Sequence, residues 1–558
     1  MGSNHNLPEY ETVRAEFAWD DVYDEADWDA PDRLNVAHEV CDRHASDRGN
    51  VALYWVGADG DRETVTFWEL ANRSNRFANG LEAIGVEAGD RVFSYMPRVP
   101  EHYTALVGTL KRGAVFGSVN ERFGPDGIAY RLDDCDAKVV VTTPDNRETV
   151  ERALEDVPSV EHVVVVSDDG TGIRPGDVSY HALVDDASDD YDAAETSGDD
   201  DALLYYTSGT TGLAKGVLHE HRWVAGVAAT QRYAVDVQDD DCYWSTADLG
   251  WLTGPINTLG AWFWGTTLLT YEGEFDPATW ADLLDEYPVS ILFSVPTAYR
   301  MLRENEAVFE DVSLDLRHAL SIGEPLSAGV VEWGEDVLGV TIHDTYGQTE
   351  TGNMIINNYP TMDVRPGSMG KPLPGIDADV VDPDTGEPMD PGETGEIAQR
   401  GDYPCFFAEY WQKPEQTADC FVDGPDGEWY LSGDLAYKDA DGYFWFEGRA
   451  DDVIISSGYR IGPFEVESTL GEHPAVAEAA VVPKPDRERG NIVKAYVVPS
   501  EGTDTSAALK DEIRTFVREE LAAHEYPREI EFREDLPKTV TGKIRRTELR
   551  EQTEGAES

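Results

Sequence analysis

The sequence predicts an α/β fold: a large N-terminal domain of α/β subdomains with a small β-barrel, followed by a small α+β C-terminal domain. Three observations predict it. Apolar, β-branched runs alternate with helical stretches through the first half of the chain. The texture then turns dense in Gly and Pro near 365–400. Beyond Arg449 the pattern resets to two long strands, one helix and a closing strand. With 558 residues the chain can build about three or four structural units, each with its own core.

In chain order, the strand-like runs are "AKVVVTT" (137–143), "EHVVVVSD" (161–168), "ALLYYTS" (202–208) and "VSILFSVPT" (289–297), the last leading into a helical "AYRMLREN". Continuous runs of this kind bounded by helices read as parallel strands buried on both faces. The stretch "RPGSMGKPLPGIDADVVDPDTGEPMDPGETGEIAQRG" (365–401) suits a small antiparallel barrel or sheet. "AVAEAAVVPKPD" (475–486) and "NIVKAYVVPS" (491–500) read as two paired strands. "AALKDEIRTFVREELAAH" (507–524) has helical spacing, with Leu509, Ile513, Phe516 and Leu521 on one face, and "REIEFRE" (528–534) reads as a last strand. The boundary falls near Arg449–Asp452, dividing the chain into 1–449 and 450–558.

Charge narrows the partners. The chain has 44 basic and 110 acidic residues, a net charge of −66, spread along its whole length. Such a surface repels nucleic-acid phosphates and anionic membranes. Its 14 Trp, 25 Tyr and 18 Phe argue for a folded protein rather than a disordered acidic one. At molar salt the Debye length shrinks to about 3 Å, which screens the self-repulsion of acidic faces; the composition therefore points to a halophilic, cytoplasmic protein. Cys41, Cys135, Cys242, Cys405 and Cys420 lack any C-x-x-C spacing, so buried reduced thiols are expected rather than zinc ligands or disulfides. No apolar run is long enough for a secretory leader or a membrane helix. Oligomeric state stays open.

The chemistry is carried by short motifs. In "YYTSGTTGLAKG" (205–216) an apolar run ends in a loop of hydroxyls and glycines closed by Lys215. Such a loop is either a phosphate cradle, with N–H groups and hydroxyls wrapped around oxygens, or a plain surface turn. It is not the common P-loop, because Lys215 follows Ala214 and precedes Gly216. Four more stretches follow in order: "TYGQTETG" (345–352), "YLSGDLA" (430–436), "GRADDVIISSGYRIGPFEVE" (448–467) and "LPKTVTGKI" (536–544). Together the five resemble the ordered motif set of the adenylate-forming acyl-CoA synthetases, and the resemblance runs from about residue 50 to 546. "SSGYRIGP" and "PKTVTGKI" look most like medium-chain acyl-CoA synthetases; acetyl-CoA synthetases share much of the pattern, including "ADLGW" (247–251).

The resemblance implies ATP, Mg²⁺ and coenzyme A as cofactors, and a two-step reaction. A carboxylate attacks the α-phosphate of ATP to give acyl-adenylate and pyrophosphate, and the CoA thiol then displaces AMP. It assigns Thr207, Ser208, Gly209, Thr210, Thr211, Gly212 and Lys215 to the β- and γ-phosphates, and Glu350 with Thr207 to Mg²⁺. Asp344, Thr345, Tyr346, Gly347, Gln348 and Thr349 fall in the nucleotide site, Tyr346 beside adenine and Thr349 by the phosphates. Asp434 would accept both ribose hydroxyls, backed by Arg449, and Lys543 would enter from a mobile C-terminal domain to bridge the carboxylate and the α-phosphate. Asp451 resembles the hinge of that domain. Ser457, Gly458 and Tyr459 would line a pantetheine tunnel, Arg489 would meet a CoA phosphate, and Arg460 would add to the local positive field.

For the acid, acetate-specific relatives place Trp directly before the Gln of "QTE", where this chain has Gly347, which implies a deeper pocket with Trp251 as another wall. At about 0.8 kcal/mol per buried methylene, four extra carbons favour a six-carbon acid by about 3 kcal/mol. Medium straight-chain acids are thus expected, while propionate, butyrate, branched and aromatic acids, a short-chain (acetyl or propionyl) synthetase, and a non-catalytic adenylate-binding sensor stay open.

The charge generates the first prediction. The thermal unfolding midpoint should rise steadily as KCl is raised from dilute buffer to molar concentration; a midpoint indifferent to salt would remove the halophilic reading.

Overall fold

A computed structural model describes residues 7–207, 214–401, 403–450, 452, 454–456, 459–486, 489–500, 502–521, 526–538 and 544–555. Among these residues the strands gather into four sheets of nine, eight, five and five strands.

The nine-stranded sheet has a parallel centre formed by Ile342–Gln348, His318–Ile322, Val289–Ser294, Cys242–Ser245, Thr267–Tyr271 and Val51–Val56. Antiparallel strands close both edges, Asn353–Asn357 lying against Ile342–Gln348. The eight-stranded sheet is parallel from Asp201–Thr207 through Val115–Ser118, Arg91–Tyr95, Val139–Thr142 and His162–Val165 to Val178–Ser179. At its other edge Lys215–Glu220 folds back antiparallel on Asp201–Thr207 and receives the short strand Glu409–Tyr410.

The apolar runs are unbroken because both faces of these sheets are covered. Val140 packs with Ile128, Leu132 and Val150 on one face, while Val139 and Val141 pack with Phe77, Leu81 and Ala105 on the other. Ile291 and Phe293 likewise face one core and Leu292 another. All four expected strands form, and Asp201–Thr207 is in addition half of a hairpin. The Gly/Pro-rich region supplies two strands, Ala378–Val381 and Gly395–Gln399, of a five-stranded antiparallel sheet in which Gly427–Lys438 pairs with Gly395–Gln399, Phe421–Gly424 and Phe444–Arg449.

The fourth sheet is C-terminal. Val476–Asp486 and Gly490–Pro499 pair antiparallel, and Glu529–Phe532 adds in parallel. Ser506 caps the helix Ala507–Glu520, its Oγ accepting the Leu509 N–H at 3.2 Å. The inner face of that helix differs from the expected stripe. Ile513 and Val517 are fully buried, whereas Leu509 and Phe516 are partly so, and Leu521 lies beyond the helix in extended backbone. An i, i+4 pair points straight at the sheet and the flanking residues cover its rim. All five cysteines are free; four are buried, but Cys420 is partly exposed. Among the described residues no helix is long and apolar enough to cross a membrane.

One buried charge cluster staples the C-terminal sheet to the final helix, Arg546–Gly555. The Glu467 carboxylate accepts the Val481 N–H at 2.7 Å and Arg546 Nη2 at 2.5 Å. Arg550 Nη2 reaches Asp452 at 2.9 Å and Arg546 Nη1 lies 3.6 Å from the same carboxylate. Burial pushes the Glu467 carboxyl above its ordinary range despite the guanidinium beside it. Removing one partner of a buried pair leaves the other uncompensated, so Arg546→Met should cost about 3 kcal/mol of local stability. The loss is read as faster amide exchange in Val476–Asp486 and Gly490–Pro499; undiminished protection would show that the pair is dispensable.

Candidate active site

Three of the five sequence motifs meet where the strand Ile342–Gln348 leaves the nine-stranded sheet. Tyr346 Oη donates to Asp434 Oδ2 at 2.7 Å, and Gln348 Nε2 donates to the same oxygen at 2.7 Å. Arg449 Nη1 lies 3.2 Å from Asp434 Oδ1, a pairing set by the register that puts Asp434 opposite Arg449 on neighbouring antiparallel strands. Gln348 is held at both ends of its amide: Nε2 also donates to the Ser432 carbonyl at 2.9 Å, and Oε1 accepts from Tyr430 Oη at 3.0 Å. Asp434 follows an irregularity in its strand where Gly433 takes φ +72° and its N–H donates to the buried Glu396 carboxylate at 2.6 Å. Burial and the Asp434 charge raise the Tyr346 phenol far above its ordinary value, so it remains a donor.

A second group lies at the end of the hairpin Asp201–Thr207 and Lys215–Glu220. Thr207 and Lys215 are the last register partners of the hairpin, and residues 208–213, Ser208, Gly209, Thr210, Thr211 and Gly212 included, are outside the described ones. Lys215 Nζ sits 3.6 Å from the centroid of the Tyr410 ring, and Tyr410 Oη donates to Glu350 Oε1 at 2.7 Å. Among the described residues no three His, Cys, Asp or Glu side chains gather as a metal site. One carboxylate and one hydroxyl, Glu350 and Thr207, fit an ion that takes most of its ligands from water and phosphate oxygens, as Mg²⁺ does.

Asp344 is of another kind. It is 5% exposed, and its carboxylate accepts the Thr345 N–H at 3.1 Å. Burial pushes its carboxyl up to about 8, outweighing the backbone donors from Leu326 and Thr345. Its partner across the ladder, Ser321, has a buried Oγ without a hydrogen-bond partner among the described residues. A neutral carboxyl beside an unsatisfied hydroxyl can both donate to and accept from a polar ligand edge.

Thr345 Oγ1 donates to the Ser321 carbonyl at 2.8 Å, and the Thr349 carbonyl accepts the Gly352 N–H at 3.0 Å. Gly347 has a reason the sequence did not reveal: a Cβ there would lie 2.1 Å from the Asn353 carbonyl oxygen, at a register shift in the ladder. The glycine is required by backbone approach, so its presence does not by itself measure pocket depth. Trp251 is partly buried with its ring 5.7 Å from that of Phe123. Arg489 lies at the turn between two C-terminal strands, its N–H donating to Asp486 at 2.9 Å. Tyr459 and Arg460 form a short strand. Lys543, Asp451, Ser457 and Gly458 lie outside the described residues. Sequence reasoning missed Tyr410, Glu396 and Ser321, which stand in no recognised motif, and gave no role to Tyr430, which opens "YLSGDLA".

Asp344 gives a pH prediction. A carboxyl raised from its ordinary value of about 4 to about 8 in the fold contributes stability present at low pH and lost as pH climbs towards 8. Asp344→Asn should flatten that decline, leaving the variant more stable than the parent at pH 8 but not at pH 4; denaturation midpoints that fall in parallel would contradict it.

The fold and site can be set beside known proteins. The AMP-binding enzyme family model matches residues 41–411, and the AMP-binding enzyme C-terminal domain matches 465–543. Acetyl-coenzyme A synthetase of Bacillus subtilis is 44% identical, with 98% of this chain and 95% of that protein covered. Human mitochondrial acyl-coenzyme A synthetase ACSM4 is 38% identical over 94% of this chain and 91% of its own. The crystal structure of the anthranilate CoA ligase AuaEII in complex with anthranoyl-AMP aligns with a TM-score of 0.86 at 30% identity, covering 95% of this chain and 99% of that one. ATP-bound MatB from Rhodopseudomonas palustris aligns with a TM-score of 0.83 at 28% identity, covering 94% and 100%. With family matches across most of its length and full-length relatives well above 30% identity, the chain belongs to the AMP-binding enzyme family of acyl-CoA synthetases.

Proposed function

We propose that this protein activates a straight-chain aliphatic acid with ATP and transfers it to coenzyme A. The carboxylate oxygen attacks the α-phosphorus as pyrophosphate leaves, and the CoA sulfur then attacks the acyl carbon as AMP leaves and the thiol gives up its proton. The observation that carries this reading is the convergence of Tyr346, Gln348 and Arg449 on Asp434, a carboxylate fixed from two sheets before any ligand arrives. Fixed oxygens suit the two ribose hydroxyls, and preorganisation of this kind supplies much of phosphoryl-transfer catalysis. Lys215 and the hydroxyl loop hold the β- and γ-phosphates. Glu350 and Thr207 hold Mg²⁺, which when bound neutralises phosphate charge. Asp344 and Ser321 face the base. Residues 1–449 form the body and 450–558 the domain that turns about Asp451, bringing Lys543 to the α-phosphate in the first step and withdrawing it for the thiol. Ser457, Gly458, Tyr459 and Arg489 serve the CoA side.

Medium chain length follows from the motif resemblance. A short-chain reading is favoured by the 44% identical acetyl-coenzyme A synthetase and by the backbone reason for Gly347. Acid-dependent AMP formation in molar KCl, across straight-chain acids of increasing length, separates them: a peak at intermediate length supports the first and a peak at acetate the second. No turnover with any of these acids would overturn the aliphatic assignment. Gly347→Ala should depress turnover with every acid alike, since its Cβ displaces the Asn353 carbonyl; a changed chain-length profile in that variant would restore glycine as a pocket determinant.

A further inference from the structure

Acidic residues outnumber basic ones 110 to 44, so a lysine near a carboxylate is expected to pair with it. Lys215 does not: among the described residues it stands in no ion pair with a carboxylate, although its charge and that of Glu350 both act on the Cys420 thiol. What separates the two charges is a ring. Lys215 Nζ rests 3.6 Å above the Tyr410 centroid, and the hydroxyl of the same tyrosine holds Glu350 at 2.7 Å.

We propose that Tyr410 is the positioning residue of the phosphate site, its ring seating Lys215 and its hydroxyl orienting Glu350, so that one side chain keeps a cation and a carboxylate close but unpaired. This rests on the assignment of Lys215 to phosphate and Glu350 to Mg²⁺ made above. The tyrosine is built to stay put. It is 2% exposed and packs with Val217, Phe407 and Tyr430. Its strand is pinned to the hairpin by the Ala408 N–H to the Leu218 carbonyl at 2.8 Å and the Trp411 N–H to the Gly216 carbonyl at 2.7 Å. A cation held on an aromatic face stays available to an incoming anion, whereas one locked to a carboxylate does not. Tyr430, from the same apolar cluster, steadies Gln348 two residues earlier in the same way.

The two halves of Tyr410 can be tested apart by calorimetric titration of ATP without acid, in molar KCl, once with EDTA and once with Mg²⁺. Tyr410→Phe keeps the ring and removes the donor. It should leave metal-free ATP affinity within about twofold of the parent, while the gain in affinity on adding Mg²⁺ falls about tenfold. Tyr410→Leu removes both and should also weaken metal-free binding about tenfold. Glu350→Gln should lose the Mg²⁺ gain as Tyr410→Phe does. Unfolding midpoints of all variants identify any that fail to fold, and Tyr410→Phe, which preserves the packing, carries the metal arm alone. The proposal is overturned if Tyr410→Phe keeps the full Mg²⁺ gain, or if it loses metal-free affinity as deeply as Tyr410→Leu. A parent protein that binds no ATP in either buffer overturns the nucleotide reading beneath it; binding by the parent with an unaltered Tyr410→Phe overturns the role of Tyr410 alone.

Discussion

The site depends on where one parallel strand ends. Ile342–Gln348 belongs to the nine-stranded sheet; its last residues meet Asp434 and Tyr430 from the antiparallel five-stranded sheet, and Glu350, just past its end, meets Tyr410 from the edge of the eight-stranded one. Ligands of open α/β sheets bind beyond the carboxyl ends of strands because the loops and free N–H groups collect there. Here three sheets share that end. Each contact across them is a hydrogen bond of 2.7 to 3.0 Å to a polar group on the same short segment. The arrangement joins the sheets and fixes the candidate ligand groups with one set of bonds.

Net charge is the second constraint, because an anionic ligand must be attracted inside a field set by 110 carboxylates. The chain does so by controlling how its few cations are paired. Arg449 is committed to Asp434, Arg546 and Arg550 hold Glu467 and Asp452, and Lys494 lies between Glu529 and Glu531. Lys215 is treated differently, resting on an aromatic face beside the loop that carries the hydroxyls.

Much of this was legible in the sequence, and the reasons are physical. Val139, Val140 and Val141 announce a strand covered on both faces, because only such a strand keeps alternate residues equally apolar. The hairpin loop announces itself by hydroxyls and glycines. Tyr410 could not be found that way, because its role comes from an antiparallel pairing with a strand nearly two hundred residues earlier, and one more tyrosine in an apolar stretch carries no mark. Gly347 has a further role that was hidden for a related reason. A residue compared only by type suggests missing side-chain volume, whereas the fold uses it for close approach of the Asn353 carbonyl, which no local pattern encodes. Val517 was overlooked in its helix because the i, i+4 pair facing the sheet is visible only once the sheet is placed.

Asp344 and Asp434 show how surroundings turn one residue type to two uses. Both are 5% exposed. Asp434 has a guanidinium at 3.2 Å and two strong donors, so an anion there has its compensation built in. Asp344 has backbone donors and no cation, and burial prevails: its carboxyl keeps its proton to about pH 8. At neutral pH one is suited to accept from paired hydroxyls, and the other can also donate to a ring nitrogen or carbonyl. Two carboxyls whose environments push them apart are a recurring way to give one chemical group two tasks. The proposed nucleotide ligand has a hydroxylated sugar at one end and a heteroaromatic edge at the other, and these two aspartates, on strands of two different sheets, have the hydrogen-bonding character that each end calls for.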